Sequence, residues 1–395
     1  MVFIRTGETG KVAQQREINR TIILNGFLRY KNISRTDLAK KFNLSKSTVT
    51  RLVNHLISEN MIREVGSLSR GLGRKAIVLS LNPDYKKAVA IKIGVTMSTI
   101  ARINFAMKIE DYLSFSTPED PHEFINNVIE GINRLFPEKK DKIHAIGIGV
   151  PGIVDNSFQN IIIAPNLRWK DIPLASLLSE KIKEFLEIDV PVKMDNEANL
   201  AVIAEGMLGT KIGYNDLNIV YVFIGEGIGT GLIIDGKLHR GSKNTAGEFG
   251  HMVVSKGGIP CKCGNEGCWE RYASLSSSVS KNLGIDLRKE KIGDKDENLL
   301  KDFAYEISVG IINIVNGLNP DVIIIGGPLV TSKFVSFWEE VKEEVVKNVR
   351  KYSITPSAGE VKIELTSFLD CPAELIGAGI WAFWDIFEGP VLSTI

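Results

Sequence analysis

The chain changes character at Asn82-Pro83, and that break limits what it can fold into more than any single motif does. Residues 1–80 hold 15 Lys and Arg against 5 Asp and Glu, a surplus of +10. The remainder holds 33 against 42, so the net charge of +1 conceals two units of opposite sign. A basic block joined to a mildly acidic body describes a polyanion-binding module attached to something else. At 395 residues the chain also exceeds one ordinary domain. Hydrophobic residues at 44% and charged ones at 24% supply ample core for a globular protein. Nothing approaches the ~18 uninterrupted apolar residues of a membrane span. The start, MVFIRTGETGKVAQQ, lacks the apolar run of a secretory signal. The expectation is a cytoplasmic protein without membrane contact, whose thiols stay reduced.

Within the basic block the pattern is helical three times over. Ile18, Ile22, Leu24 and Leu28 form an apolar stripe that ends near Tyr30. Ser34 is placed to cap a helix with Leu38, Ala39 and Phe42 turned inward, and Ser45 to cap a longer one carrying Val49, Leu52, Val53, Leu56 and Ile57. Two capped helices joined by a short turn make a helix-turn-helix. Lys46, Ser47, Thr48, Thr50 and Arg51 then stand at the exposed start of the second helix, where side chains reach phosphates and base edges in a major groove. MIREVGSLSRGLGRKAIVLSL follows as two strands around a Gly- and Arg-rich tip, the shape of a wing. Arg70, Arg74 and Lys75 on that tip can touch backbone or minor groove. Duplex DNA is the expected partner.

After residue 82 strands and helices alternate. AVAIKIGV and TIARINFAM are expected to pair, HEFINNVIEGINRLF to be a helix, and HAIGIGVPGIV a buried strand entering a turn. LNIVYVFIGEGIGTGLIIDGKLHRG predicts strand, Gly-rich hairpin and strand; DVIIIGG predicts a strand preceded by the helix LKDFAYEISVGIINIVNGL. Such alternation indicates an α/β protein with ligands at strand ends.

Residues 247–272, GEFGHMVVSKGGIPCKCGNEGCWERY, pack three of the four cysteines into eight residues beside a histidine. His251, Cys261, Cys263 and Cys268 offer one imidazole and three thiolates, a complete donor set for a closed tetrahedral zinc site. Unrelated core thiols are the other reading of the same spacing. Cys371 lies apart and is expected to be a small buried hydrophobe.

AGEFGHMVVSKGGIPCKCGNEGCWERYAS, with IGIGVPGIVD, IIIAPNLRW, DNEANLAVIAEGMLG and GEGIGTGLIIDGKLHRG in order, resembles the ROK family (repressor, open reading frame, kinase) from about residue 15 to 388. The helix-turn-helix in front resembles the repressor branch. The resemblance implies an actin/hexokinase-like body of two α/β lobes, with a sugar cleft between them. It implies residues 1–82 as a winged helix-turn-helix, 83–198 as lobe 1 with 372–395 packing back on it, and 199–371 as lobe 2 with a zinc loop and a dimer surface. It also implies a structural zinc on the four donors, a homodimer or dimer of dimers, and a sugar-contacting set of Asn166, Asn196, Glu197, Glu248, His251 and Glu270. His251 would then serve zinc with one ring nitrogen and the sugar with the other.

The chain departs from the family's kinases at three places. Their first phosphate hairpin resembles Asp-x-Gly-Gly-Thr; here Lys92-Ile93-Gly94-Val95-Thr96 puts an ammonium in the magnesium-linked position. Their second phosphate loop begins Gly-Thr-Gly, where this chain has Gly225-Glu226-Gly227. Their catalytic aspartate aligns with Glu197, one methylene longer. These departures imply a sensor without ATP, magnesium or catalysis: a sugar-responsive regulator, as repressor, that releases its operator when sugar enters the cleft. The alternative is an ATP-dependent sugar kinase with an appended DNA-binding head. Xylose, glucose, an N-acetylhexosamine or a β-glucoside each satisfy such side chains.

Overall fold

In the basic block the two serines start the helices. Ser34 Oγ accepts the Asp37 N–H at 3.2 Å and opens α2 (Arg35–Lys41); Ser45 Oγ accepts the Thr48 N–H at 3.0 Å and opens α3 (Lys46–Ser58). Before them runs α1 (Glu8–Tyr30), and β1 (Ile33–Ser34), β2 (Ile62–Leu68) and β3 (Ala76–Leu81) form a small sheet in the order β1-β3-β2. This computed structural model describes residues 8–68, 76–137, 143–212, 216–286, 289–293, 296–354 and 359–387. Arg70, Arg74 and Lys75, the expected wing contacts, lie outside the described residues, as do 388–395 of the C-terminal segment.

One expectation for α1 needs correcting. Its buried face is Ile23, Leu24, Phe27 and Leu28, whereas Ile18 is 45% exposed. At about 100° per residue Ile18 falls on the opposite side of the helix from that group. The stripe therefore begins later than the spacing suggested. Cys371 is likewise only half-buried, packed at the edge of the core.

The body is built twice from one plan. In the first sheet β4 (Lys87–Lys92), β5 (Met97–Asn104) and β6 (Ile109–Ser116) form an antiparallel meander. After α4 (Pro121–Leu135), β7 (Ile143–Val150) lies parallel to β4. β8 (Ile153–Val154), β9 (Ile161–Ala164) and β10 (Trp169–Ile172) make a small side sheet, and after α5 (Leu174–Leu186), β11 (Val192–Asn196) joins parallel to β7. The order is β11-β7-β4-β5-β6.

α6 (Glu197–Leu208) leads to the second sheet, where β12 (Ile219–Ile224), β13 (Ile228–Ile234) and β14 (Lys237–Leu238) repeat the meander. α7 (Glu270–Ala273), α8 (Ser278–Asn282) and α9 (Glu297–Leu318) precede β15 (Val322–Gly326), and α10 (Val335–Tyr352) precedes β16 (Lys362–Leu365). Both late strands are parallel to β12 and extend that side of the sheet, giving β14-β13-β12-β15-β16. Meander plus two parallel strands on the same flank is the arrangement of the first sheet. The strands β4, β7, β11, β12 and β15 thus bring their carboxyl ends to one region, where α/β proteins bind ligands.

Between the sheets lie α6 and α11 (Ala373–Ala382), apolar on all sides and buried over nearly their whole length. They cross in direct backbone contact: a Cβ at Gly377 would run into the Leu200 carbonyl. α12 (Trp384–Phe387) continues from α11 and meets α1, where Asn25 Nδ2 donates to the Phe387 carbonyl at 3.5 Å. Phe105 stacks with Phe387 at 5.2 Å and meets Tyr85 edge-on at 4.8 Å, so the core of the DNA-binding block runs on into the body.

Gly377→Val is expected to cost about 3 kcal/mol, the upper end for an overpacked core. Gly317→Ala, in α9 where nothing lies within 4 Å, should gain about 0.5–1 kcal/mol from reduced chain entropy. Urea unfolding of the two variants reads both.

Candidate functional site

The floor of the interlobe cleft is set by strand and helix ends. Lys92 ends β4, Glu374 stands in the first turn of α11, and the two form a buried ion pair. Burial alone would push the Lys92 ammonium down, but the Glu374 carboxylate outweighs it and holds the group above its ordinary value. Phe223 of β12 lies 5.8 Å from the same ammonium, so the contact also reaches the second sheet. Glu197, the first residue of α6, is buried beneath. Burial pushes its carboxyl up to about 8; Glu374 and Glu226 add to the shift, and Lys92 opposes it. At neutral pH such a group donates a hydrogen bond rather than taking a proton from a hydroxyl.

Asn166 and Glu270 face one another across the backbone of Gly227. A Cβ there would sit 2.5 Å from Glu270 Oε2 and 3.1 Å from Asn166 Nδ2, which only glycine avoids. Glu270 is buried, and its Oε2 accepts the Ile228 N–H at 3.4 Å. These two line a cleft of ≈ 880 Å³ with Arg168, Glu226, Lys262 and Arg271. Asn196 is already engaged: its Oδ1 caps α6 through the Ala198 and Asn199 N–H groups, and its Nδ2 donates to the Gly152 carbonyl at 3.0 Å. Only its second N–H remains for a ligand.

The loop 251–268 folds His251, Cys261, Cys263 and Cys268 together, with all four donor atoms within 4.8 Å of one another. Cys263 and Cys268 Sγ are 3.7 Å apart, and His251 Nδ1 lies 3.7 Å from Cys261 Sγ. A disulfide needs ~2.05 Å. A tetrahedron with ~2.3 Å metal–sulfur arms has edges close to 3.8 Å. The donors therefore fit a tetrahedral thiophilic metal and leave no open position for chemistry. Bridges between Val253 and Cys268 and between Pro260 and Glu266 close the loop. Trp269, fully buried, anchors its far end by donating to the Glu306 carbonyl of α9 at 2.8 Å.

With Nδ1 turned to the sulfurs, His251 Nε2 faces Glu248 Oε2 at 3.9 Å. Glu270 Oε1 accepts from Cys261 Sγ at 3.0 Å. Burial holds the Glu248 carboxyl above its ordinary range, and Glu270 reinforces this. Glu248, His251 and Glu270 thus share one wall with the metal donors, Asn166 stands opposite, and Asn196 and Glu197 lie at the start of α6.

On the DNA-binding block, Lys46, Ser47, Thr50 and Arg51 are exposed at the start of α3, and Thr48 is half-buried beside the cap. Thr50 Oγ1 donates to the Lys46 carbonyl at 2.8 Å, and Ser47 Oγ lies 2.9 Å from Ser45 Oγ. Lys46 and Arg51 project beyond these hydroxyls.

Three residues around the site were not foreseen. Glu374 carried a signal, being the lone charge in the apolar run AELIGAGIWAFW. Arg240 and Asp195 lie in two of the family-like segments, but nothing there showed that they pair at 2.5 Å across the lobes.

The ROK family profile matches residues 88–383, and a winged helix-turn-helix DNA-binding profile matches residues 23–63. A xylose repressor of Caldicellulosiruptor bescii is 31% identical over 95% of this chain and 98% of its own. Among solved structures, a ROK family transcriptional regulator described as a homologue of the E. coli MLC protein superposes with a TM-score of 0.68, at 20% identity, over 95% of this chain and 100% of that one. A ROK family glucokinase from Streptomyces griseus in complex with glucose and AMPPNP gives 0.63 at 24% identity, over 75% of this chain and 99% of that one. At these identities the two structures establish the fold.

The unfolded chain releases the Glu197 proton near pH 4.5 and the folded chain near pH 8. Between those values unfolding releases a proton, so stability falls as pH rises, by up to about 1.4 kcal/mol per pH unit from this group. Glu197→Gln should remove that slope when urea unfolding is followed across the same range.

Proposed function

The chain belongs to the ROK family, and from that premise we propose that it is a sugar-responsive transcriptional repressor whose operator is released when a sugar, D-xylose first among candidates, enters the interlobe cleft. The observation that carries this reading is the union, in one continuous core, of an exposed helix-turn-helix and a ROK body whose cleft floor is closed by Lys92 and Glu374. The whole-length similarity to a xylose repressor supports it.

The start of α3 enters the major groove, with Lys46 and Arg51 on phosphates or base edges and the hydroxyls of Ser47, Thr48 and Thr50 beside them. Arg70, Arg74 and Lys75 remain proposed contacts to the backbone or the minor groove, on their charge and their place in the sequence alone. Two protomers related by a twofold axis read two half-sites of a pseudo-palindromic operator, because protein symmetry sets operator symmetry. DNA binding places the protein in the cytoplasm, and among the described residues no helix is long and apolar enough to cross a membrane.

Zinc occupies the His251, Cys261, Cys263 and Cys268 site and acts structurally, by fixing a short loop whose inner wall contacts the sugar. Glu248, Glu270 and the free Nε2 of His251 take sugar hydroxyls from one side, Asn166 from the other, and Glu197 donates from the floor. Neutral polyhydroxy ligands suit this wall, since each hydroxyl both donates and accepts. The protein is not a kinase on this reading. The magnesium-linked carboxylate is replaced by an ammonium already engaged by Glu374, and Glu226 turns a negative charge toward incoming phosphates.

Purified protein is expected to carry one zinc per chain. Cys263→Ser should lose that zinc together with sugar affinity, read by metal analysis and by calorimetric titration with D-xylose. Full sugar binding by the metal-free variant would contradict the structural role. Sheared genomic DNA captured on the immobilised protein should yield a discrete fragment that D-xylose elutes. Arg51→Ala should weaken binding to that fragment about tenfold or more, the loss of one good contact. Transfer of phosphate from Mg-ATP to the sugar would replace this reading with the kinase.

A further inference from the structure

Arg240 leaves the second lobe just after β14 and crosses to the first. Its Nη2 donates to Asp195 Oδ2 at 2.5 Å, and its Nη1 donates to Asn244 Oδ1 at 2.7 Å. The guanidinium sits on a corner formed by two rings that meet edge-on at 5.1 Å, 4.7 Å from Phe158 and 5.2 Å from Trp381 of α11. Asp195 is wholly buried at the end of β11, next to the cap of α6. Asn244 extends the same bridge, donating to the Val154 carbonyl of the first lobe at 3.1 Å.

Two features make this more than a static ion pair. The loop from Arg240 closes on itself through the Ala246 N–H to the Arg240 carbonyl at 3.1 Å and runs directly into Glu248 and His251. Trp381, on the other side, meets Trp384 of α12 at 5.2 Å, and α12 ends at Phe387, whose carbonyl accepts from Asn25 of α1. A sugar that draws on Glu248 therefore pulls a loop whose other end is Arg240. A fork that rests on two rings and pairs with a buried carboxylate is held by several contacts at once, so it would leave its seat as a unit. Discrete arrangements of that kind are what coupling between sites requires.

We infer that Arg240 is the positioning residue that couples sugar binding in the cleft to the DNA-binding block, through Trp381 and the α11–α12 segment. The inference rests on the repressor reading above. Arg240 is not part of the sugar wall; it holds the loop that carries Glu248 and reports the loop's position to α11. Lysine in its place keeps the charge for Asp195 but offers a single nitrogen where arginine lays a planar fork against both rings and both acceptors.

The test uses the full-length protein, the captured operator fragment and D-xylose. Wild type is expected to lose operator affinity with xylose by about 5–150-fold, the ordinary range of a coupling between sites. In Arg240→Gln that ratio should shrink to about twofold or less, while xylose affinity by calorimetry and operator affinity without xylose stay near wild type. Arg240→Lys should recover part of the ratio, a graded rescue that mere loss of packing would not give. Because Gln alone leaves Asp195 buried without its partner, Arg240→Gln with Asp195→Asn serves as the folded control, and the same uncoupling is expected of it. A full wild-type ratio in these variants would overturn the coupling role. So would loss of xylose binding in them, which would place Arg240 in the sugar site itself. Failure of wild type to respond to xylose at all would instead overturn the xylose-repressor reading and the coupling with it.

Discussion

A single ammonium, that of Lys92, gathers the parts of the body that must stay together. It ends β4, pairs with the start of α11, lies over Phe223 of β12, and shares the floor with Glu197 at the start of α6. Burying such a pair is expensive, and its merit is not raw stability. Removing one partner of a buried pair typically costs about 3–5 kcal/mol, because the other charge is left in a low dielectric. The pair therefore fixes a geometry: both sheets and both central helices meet at one point. It also fixes the charge of the floor before any ligand arrives. A metal–nucleotide would meet an ammonium where its cation should sit, with Glu226 near its phosphates. A neutral ligand with many hydroxyls meets no such conflict.

The metal loop complements this floor from the side. Residues 251–268 have little core of their own: Cys261 and Cys268 are buried, Val254 packs on the second-lobe core, and Trp269 supplies the anchor beneath α9. What such a loop lacks in apolar burial, four bonds to a metal on these donors would provide. His251 and Glu270 each belong to two networks, one facing the metal donors and one facing the cleft. A metal on these donors would make the cleft wall as rigid as the site behind it, which is the ordinary logic of an outer shell around a metal.

What could be read from the sequence divides by distance along the chain. The helix starts at Ser34 and Ser45 were legible because a cap is decided within three residues. The four metal donors were legible because a short loop forces them together. Lys92 was legible as a substitution, but its partner was not, because pairing with Glu374 depends on how α11 returns to β4. The lone carboxylate in an apolar helix could have raised the question, since a buried charge must have a partner. Ile18 misled because an isolated stripe does not say which face of α1 meets α6 and α12. Arg240 and Asp195 stand in family-like segments, but their pairing left no trace: an arginine after a hairpin and a strand-end aspartate are common, and only the docking of two lobes makes them a bridge.

The attachment of the DNA-binding block decides what the cleft can transmit. A loose tether would absorb any movement of the lobes, as flexible linkers do. Here Tyr85, just past the break at residue 82, packs on Phe105, which in turn holds Phe383 and Phe387, and the buried core runs unbroken into α1. α1 has 23 residues, hence a length of ~35 Å, and α12 touches it near its C-terminal end at Asn25. α3 packs on the same stretch of α1, where Arg20 pairs with Glu59 at 3.3 Å, so a shift of about an ångström at Asn25 reaches the reading helix within about two helical turns. Half-sites on DNA are spaced by the helical repeat, ~34 Å, and base-edge contacts made at hydrogen-bond distance do not survive misplacement of that order. On the proposed coupling, small shifts in the cleft need no amplifier beyond a stiff helix seated on the element that feels them.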